Sequence, residues 1–163
     1  MSSPDGLHII DTCSLVNIRD LDRDSSRIWD ALCEQIEGGR LKTVRQVCDE
    51  LERRFPDVYR RLKPQKKILL IPDAELYALE TITEIRAIQR AHPKLYNQFG
   101  TGNPADPFLI AAAKIQSGIV VTDERTAGKK HKEKIPYVCA GRNVGCTSRV
   151  QYLKVLGIDV DKI

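Results

Sequence analysis

Two short apolar runs, each closing on acid, restrict what this chain can fold into more than any other feature. Leu7 to Ile10 runs into Asp11, and the β-branched Ile119 to Thr122 runs into Asp123 and Glu124. Apolar runs of this length suit buried strands. Helical patterns lie between them, and strands alternating with helices imply a parallel sheet covered on both faces. The expected fold is therefore α/β: a three-layer α/β/α sandwich with a central, mainly parallel sheet. In such sheets ligands bind outside the carboxyl ends of the strands, which is where these acids fall.

The remaining segments follow the same order. Thr12 to Arg19 reads as a first helix. Ser25 and Ser26 are cap candidates before a helix over Arg27 to Glu37, where Ile28, Leu32 and Ile36 recur on one face and Gly38-Gly39 stops the pattern. Leu41 to Val44 reads as a second strand. Val47 begins a helix that runs to Arg54 and is ended by Pro56. Ile68 to Ile71 is a further apolar run, closed by Pro72. Glu75 to Ala91 reads as one long helix with Leu76, Leu79, Ile82, Ile85 and Ile88 along a stripe. His92 to Asn103 carries Pro, Asn and two Gly and reads as a loop. Ala105 to Gln116 is a nearly all-apolar, buried helix, and Glu124 to Lys134 is a basic loop. A short helix over Pro136 to Arg142, a last strand over Val144 to Thr147 and a final helix over Ser148 to Leu156 complete the chain. No linker interrupts it, so residues 1–163 read as one domain.

Composition excludes several classes. The chain is 42% hydrophobic and 29% charged, ordinary for a globular protein and unlike a disordered one. Its longest mainly apolar run, Pro107 to Ile119, is broken by Lys114, Gln116 and Ser117 and falls well short of the roughly 20 residues of a membrane span. Met1 to Gly6 lacks the charged-then-apolar pattern of a signal peptide, so a cytoplasmic protein without membrane association is expected. The five cysteines (Cys13, Cys33, Cys48, Cys139 and Cys146) are odd in number and contain no CxxC, which argues against a disulfide framework or a zinc knuckle. Cys33 and Cys48 lie in apolar helical settings and read as small buried side chains.

Two further acids join those at the strand ends. Asp106 opens the buried helix that leads into Ile119–Thr122, and Glu50 lies on the helix after Leu41–Val44. In a parallel sheet Asp11, Glu50, Asp106 and Asp123 or Glu124 can meet at one edge. Carboxylates crowded there raise one another's pKa, and a hard divalent cation relieves the repulsion. An all-oxygen set suits Mg²⁺ or Mn²⁺, and such an ion can activate water against a phosphodiester. Each acid taken singly has a plainer role. Asp11 and Thr12 can cap a helix, Asp106-Pro107 fits an N-cap followed by proline, Glu50 can lie on a solvated face, and Asp123 and Glu124 can begin a polar loop. It is their joint order along the chain that capping does not explain.

Those residues carry a family resemblance. Ile9-Ile10-Asp11-Thr12-Cys13-Ser14-Leu15, Asp49-Glu50-Leu51, Ala105-Asp106-Pro107-Phe108 and Val120-Val121-Thr122-Asp123-Glu124 together resemble the four acid motifs of PIN domains, the fold of VapC-like ribonuclease toxins, over nearly the whole chain. The resemblance implies Asp11, Glu50 and Asp106 as catalytic metal ligands, with Asp123 or Glu124 completing the set. It implies Thr12, Ser14 and Thr122 as hydrogen-bonding support, a magnesium or manganese ion as cofactor, and RNA ends bearing 5′-phosphate and 3′-hydroxyl. It also implies an antitoxin protein as partner and a homodimer. The chain departs from the family in its last motif, where the usual Asp two residues after the threonine is Glu124. Its central region, Arg53 to Asn103, is also longer than in the smallest members.

The net charge of +4 is gathered into two clusters. Arg125, Lys129, Lys130, Lys132 and Lys134 follow the last acid and are placed to hold RNA phosphates. Arg53 to Lys67 holds seven basic residues against one acid, Asp57, and can meet RNA or an acidic antitoxin. Tyr96 and Phe99 are candidates for base stacking, with packing as the plainer role; Trp29 reads as core. The expected function is a metal-dependent endoribonuclease, the toxin of a toxin–antitoxin pair. The rivals are an inactive binding module on the same fold, a DNA nuclease of related architecture, and a phosphotransferase using Asp11 as nucleophile. The last usually needs a second Asp two residues on, where Cys13 stands.

Overall fold

A computed structural model of the chain describes residues 5–22, 26–93, 95, 105–124 and 134–162. Four strands, β1 (His8–Ile10), β2 (Leu41–Lys42), β3 (Ile119–Val121) and β4 (Gly145–Thr147), form one sheet in the order β2-β1-β3-β4. Every pairing is parallel, with His8 opposite both Leu41 and Ile119, Ile10 opposite Val121, and Val121 opposite Thr147. Helices flank the sheet on both sides, giving the three-layer sandwich. All three residues of β1 are buried, as a central strand covered on both faces requires.

The helices are α1 (Thr12–Leu21), α2 (Arg27–Glu37), α3 (Arg45–Arg54), α4 (Pro56–Leu62), α5 (Lys66–Leu69), α6 (Asp73–Leu76), α7 (Leu79–Ala91), α8 (Asp106–Ile115), α9 (Ile135–Gly141) and α10 (Arg149–Val155), with a 3-10 turn at Lys63–Gln65 between α4 and α5. The stripe expected on α2 is real: Ile28, Leu32 and Ile36 are buried, together with Trp29. Gly39 ends that helix at φ +70, a conformation that costs glycine nothing and other residues a good deal. Most of α8 is core, from Pro107 through Ala113, so it lies beneath the sheet as its composition foretold.

Three expectations need correction. The long helix over Glu75 to Ala91 is two helices broken at Tyr77-Ala78, where Ala78 is extended at ψ 151. Residues three apart on an α-helix rotate by about 300°, so a three-step stripe drifts off any one face. The face that α7 buries is Thr81, Ile85 and Ile88, while Leu79 is 81% exposed. The strand over Leu41 to Val44 stops at Lys42, and Thr43 makes a single parallel bridge to Leu70. Cys33 is only half-buried, unlike Cys48, whose thiol burial pushes up to about 11. No helix among the described residues is long and apolar enough to cross a membrane.

Candidate active site

The topology locates the site before any side chain does. From β1 the chain moves outward to β2, and from β3 it moves outward to β4 on the other side. The connections therefore diverge at the carboxyl ends of β1 and β3, where open α/β sheets leave a crevice. Backbone bonds pin both exits: Asp11 N–H donates to Val121 O at 3.1 Å and Thr122 N–H to Thr147 O at 3.0 Å.

Asp11 occupies the N-cap of α1, where its Oδ1 accepts from the Ser14 amide at 2.8 Å. Its other oxygen accepts from the Thr122 hydroxyl at 2.5 Å. The capping role is thus genuine, but a cap normally lies in water, and Asp11 is 3% exposed. Burial raises its pKa from 3.8 to about 6, against the hydrogen bonds from Thr122 and Ser14 and with the nearby charge of Glu124 adding to the rise.

Asp106 is not the N-cap of α8. Ala105 holds that position, so Asp106 begins the helix proper and its carboxylate caps nothing. It is 5% exposed. Its pKa stands well above the usual carboxylate range, first through burial and then through Glu124, Asp11 and Glu50, with Lys134 acting in the opposite sense. No hydrogen bond from the described residues contributes. Glu50 projects from α3, whose Val47, Cys48 and Leu51 turn inward. It accepts from the Thr12 hydroxyl at 2.7 Å and from Arg54 at 3.1 Å.

The two adjacent acids after β3 part company. Asp123 turns to α1 and α10: its Oδ2 accepts from Asn17 Nδ2 at 2.7 Å and its Oδ1 from the Arg149 amide at 3.2 Å. Arg149 Nε lies 3.1 Å from Asp123 Oδ2, a charge contact whose N–H does not align as a hydrogen bond. Glu124 turns the other way. Its amide donates to Thr122 Oγ1 at 3.2 Å, and its Oε2 accepts from the Ile135 amide at the start of α9 at 2.6 Å. Its charge acts on Asp11, Asp106 and Cys13, and that of Asp123 on Cys13. The cluster is therefore Asp11, Glu50, Asp106 and Glu124, and Asp123 braces its edge.

Thr12, Ser14 and Thr122 each hydrogen-bond one of these acids, and the Ser14 hydroxyl also donates to Val121 O at 3.4 Å. Of the five basic residues named after Glu124, Lys134 is exposed at the N-cap of α9 and near enough to stabilise ionised Asp106. Arg125, Lys129, Lys130 and Lys132 lie outside the described residues, as do Tyr96 and Phe99. Sequence reasoning overlooked Asn17 and Arg149. The signal for Asn17 was a polar side chain amid Leu15, Val16 and Ile18; Arg149 gave none, since its partner is 26 residues away.

The donor chemistry fits a hard divalent cation: four carboxylates, two of them buried with raised pKa values, and one with no hydrogen-bond donor from the described residues. As placed, they are not yet a coordination shell. Among the described residues, no three His, Cys, Asp or Glu side chains lie close enough to hold one ion. Glu50 is engaged by Thr12 and Arg54, and Glu124 by the α9 amide.

Fold and site together define an all-parallel α/β sandwich with a carboxylate cluster at its switch point. The chain belongs to a family described as a domain of unknown function, DUF4411, whose profile matches residues 8–160. No curated protein and no solved structure matches it.

Proposed function

We propose that this protein is a PIN-like, divalent-metal-dependent endoribonuclease that hydrolyses RNA at the Asp11–Glu50–Asp106–Glu124 cluster. One observation carries the reading. Asp106 is buried at a helix start among three other carboxylates, caps nothing and takes no hydrogen bond from the described residues. Among the described residues this carboxyl has no hydrogen-bond donor, and burying a carboxyl without one costs stability. The resemblance of the four acid motifs to PIN domains supports the same reading.

An anionic cluster repels a phosphodiester unless its charge is neutralised. Asp11, Asp106, Glu50 and Glu124 would hold Mg²⁺ or Mn²⁺, which would supply that neutralisation and Lewis-acid assistance to water attack. Thr122 and Ser14 hold Asp11 in one orientation. Thr122 also fixes the Glu124 amide, so one hydroxyl sets the position of two acids. Lys134, at the rim, offers a cation to a backbone phosphate. The proposal extends to a toxin role, with an antitoxin protein as partner and pairing of two copies.

The test is cleavage of end-labelled RNA by the purified protein in EDTA, Mg²⁺ and Mn²⁺, beside Asp11→Asn. Metal-dependent cleavage leaving 5′-phosphates, and lost in the variant, is expected. Equal cleavage by the variant, or undiminished cleavage in EDTA, overturns the reading. Parallel single-stranded DNA separates the ribonuclease from a deoxyribonuclease.

A second reading has one observation in its favour. Among the described residues the acids stand apart rather than gathered around an ion site, as in an inactive module that holds no metal. Such a module binds RNA or protein but neither binds Mn²⁺ tightly nor cleaves.

A further inference from the structure

The basic segment between α3 and α5 takes no part in the cluster, yet it begins at the cluster. In α3, Val47, Cys48 and Leu51 face the core; in α4, Val58 and Leu62 do; in α5, Leu69 does. With those positions turned inward, Arg53, Arg60, Lys63 and Lys67 are exposed. The single acid of the run, Asp57, does not neutralise them, because it is taken by Arg19 of α1 at 3.2 Å. Seven positive charges against one committed negative charge therefore fall in one stretch of chain, with Arg53, Arg54, Arg60, Arg61, Lys63 and Lys67 exposed. Glu50 compensates Arg54, but Arg53, Arg60, Lys63 and Lys67 have no ion pair among the described residues, which leaves a positive field.

The inner end of this surface is ordered. Arg54 bonds the cluster acid Glu50 at 3.1 Å and lies 5.5 Å from the Phe55 ring centre. Arg19 lies 5.9 Å from the same ring. Two anchored guanidiniums thus share a half-buried aromatic ring directly beside the acid cluster. Lys66 is placed similarly over Tyr59 at 5.2 Å.

We propose that this α3–α4–α5 surface is the track along which a single strand of RNA leaves the acid cluster, its phosphates held by Arg53, Arg60, Lys63 and Lys67 and its first nucleotide beside Arg54 and Phe55. The inference rests on the nuclease reading for its substrate class. It favours RNA over an acidic protein because the positive surface is continuous with the cluster through the Arg54–Glu50 pair. An acidic inhibitor needs no such connection.

The experiment measures binding of a fluorescein-labelled 12-nucleotide single-stranded RNA in EDTA, where no metal-dependent cleavage occurs, across a salt series. Wild type is compared with Arg53→Gln/Arg60→Gln/Lys63→Gln/Lys67→Gln, and poly-L-glutamate is titrated alongside. Each lost phosphate contact reduces the slope of log affinity against log salt by about 0.7 for a single strand. The quadruple variant should therefore lose about 3 from that slope, and bind RNA at least tenfold more weakly at moderate salt, with an unchanged circular dichroism spectrum. An unchanged slope and affinity overturn the proposal, as does a variant that loses only poly-L-glutamate binding. If wild type binds RNA through this surface but never cleaves it, the nuclease reading fails and the track stands.

Discussion

Removing the charge of Asp11 should make the metal-free protein more stable. Burial raises this carboxyl from 3.8 to about 6 in the native state. The native protein thus holds the proton more tightly than the unfolded chain does. Stability is lost as pH rises from about 4 to about 6, and the penalty is complete above that window. At roughly 1.4 kcal/mol for each of about two pH units, ionised Asp11 destabilises the fold by about 3 kcal/mol at pH 7. The hydrogen bonds from Thr122 and Ser14 are already included, since they lower the value. Asparagine keeps an acceptor for the Ser14 amide and carries no charge. Asp11→Asn should therefore gain up to about 3 kcal/mol at pH 7 in EDTA, which for a chain of this size is a rise in Tm of about 6–12 °C. The gain should fall to about 0.5 kcal/mol toward pH 4, where the native carboxyl is protonated and the unfolded one, at its ordinary value of 3.8, is about half so. Thermal melts of both proteins in EDTA at pH 4, 5, 6 and 7 provide the measurement. A Tm lowered by the substitution at pH 7, or a difference that does not change with pH, refutes the argument.

Further predictions follow from individual contacts. Glu124→Gln should abolish metal-dependent RNA cleavage with little loss of stability. Asp123→Asn should instead lose about 1–2 kcal/mol through its Asn17 and Arg149 contacts and retain measurable cleavage, as denaturant melts and initial rates will show. Ile85→Ala should cost about 2–4 kcal/mol and Leu79→Ala almost nothing, because Ile85 is buried on α7 and Leu79 is exposed; equal losses contradict the broken helix. Asp106→Asn should keep the circular dichroism spectrum and lose cleavage, and wild-type cleavage rates in that variant remove Asp106 from the site.

The layering was legible because it depends on local patterns. Ile28, Leu32 and Ile36 define a face by spacing alone, and the apolar run that opens at Ala105 buries most of its helix through Ala113, with Lys114 and Ile115 exposed in the last turn. Asp11 and Asp106 were visible for a related reason: each adjoins an apolar element whose burial fixes where it ends. The break at Tyr77-Ala78 was hidden because three-residue spacing mimics a helix stripe over short lengths. Its causes are tertiary: the Gln46 side-chain amide donates to the Tyr77 hydroxyl at 3.2 Å, and Tyr77 packs edge-on to Phe108 at 6.3 Å between ring centres. The choice between Asp123 and Glu124 was hidden likewise. Adjacent residues leave a strand in opposite directions, and which one faces the crevice is decided by Asn17 and Arg149, far away in the chain.

The central claim is that these four acids jointly hold a divalent cation, and direct titration of Mn²⁺ into the purified protein by calorimetry, beside Asp106→Asn, tests it most closely. The account predicts saturable binding at pH 7.5 that weakens as pH falls through about 6, where protons compete for Asp11, and that is lost in the variant. Heat no greater than dilution at millimolar Mn²⁺, or equal binding by Asp106→Asn, contradicts it.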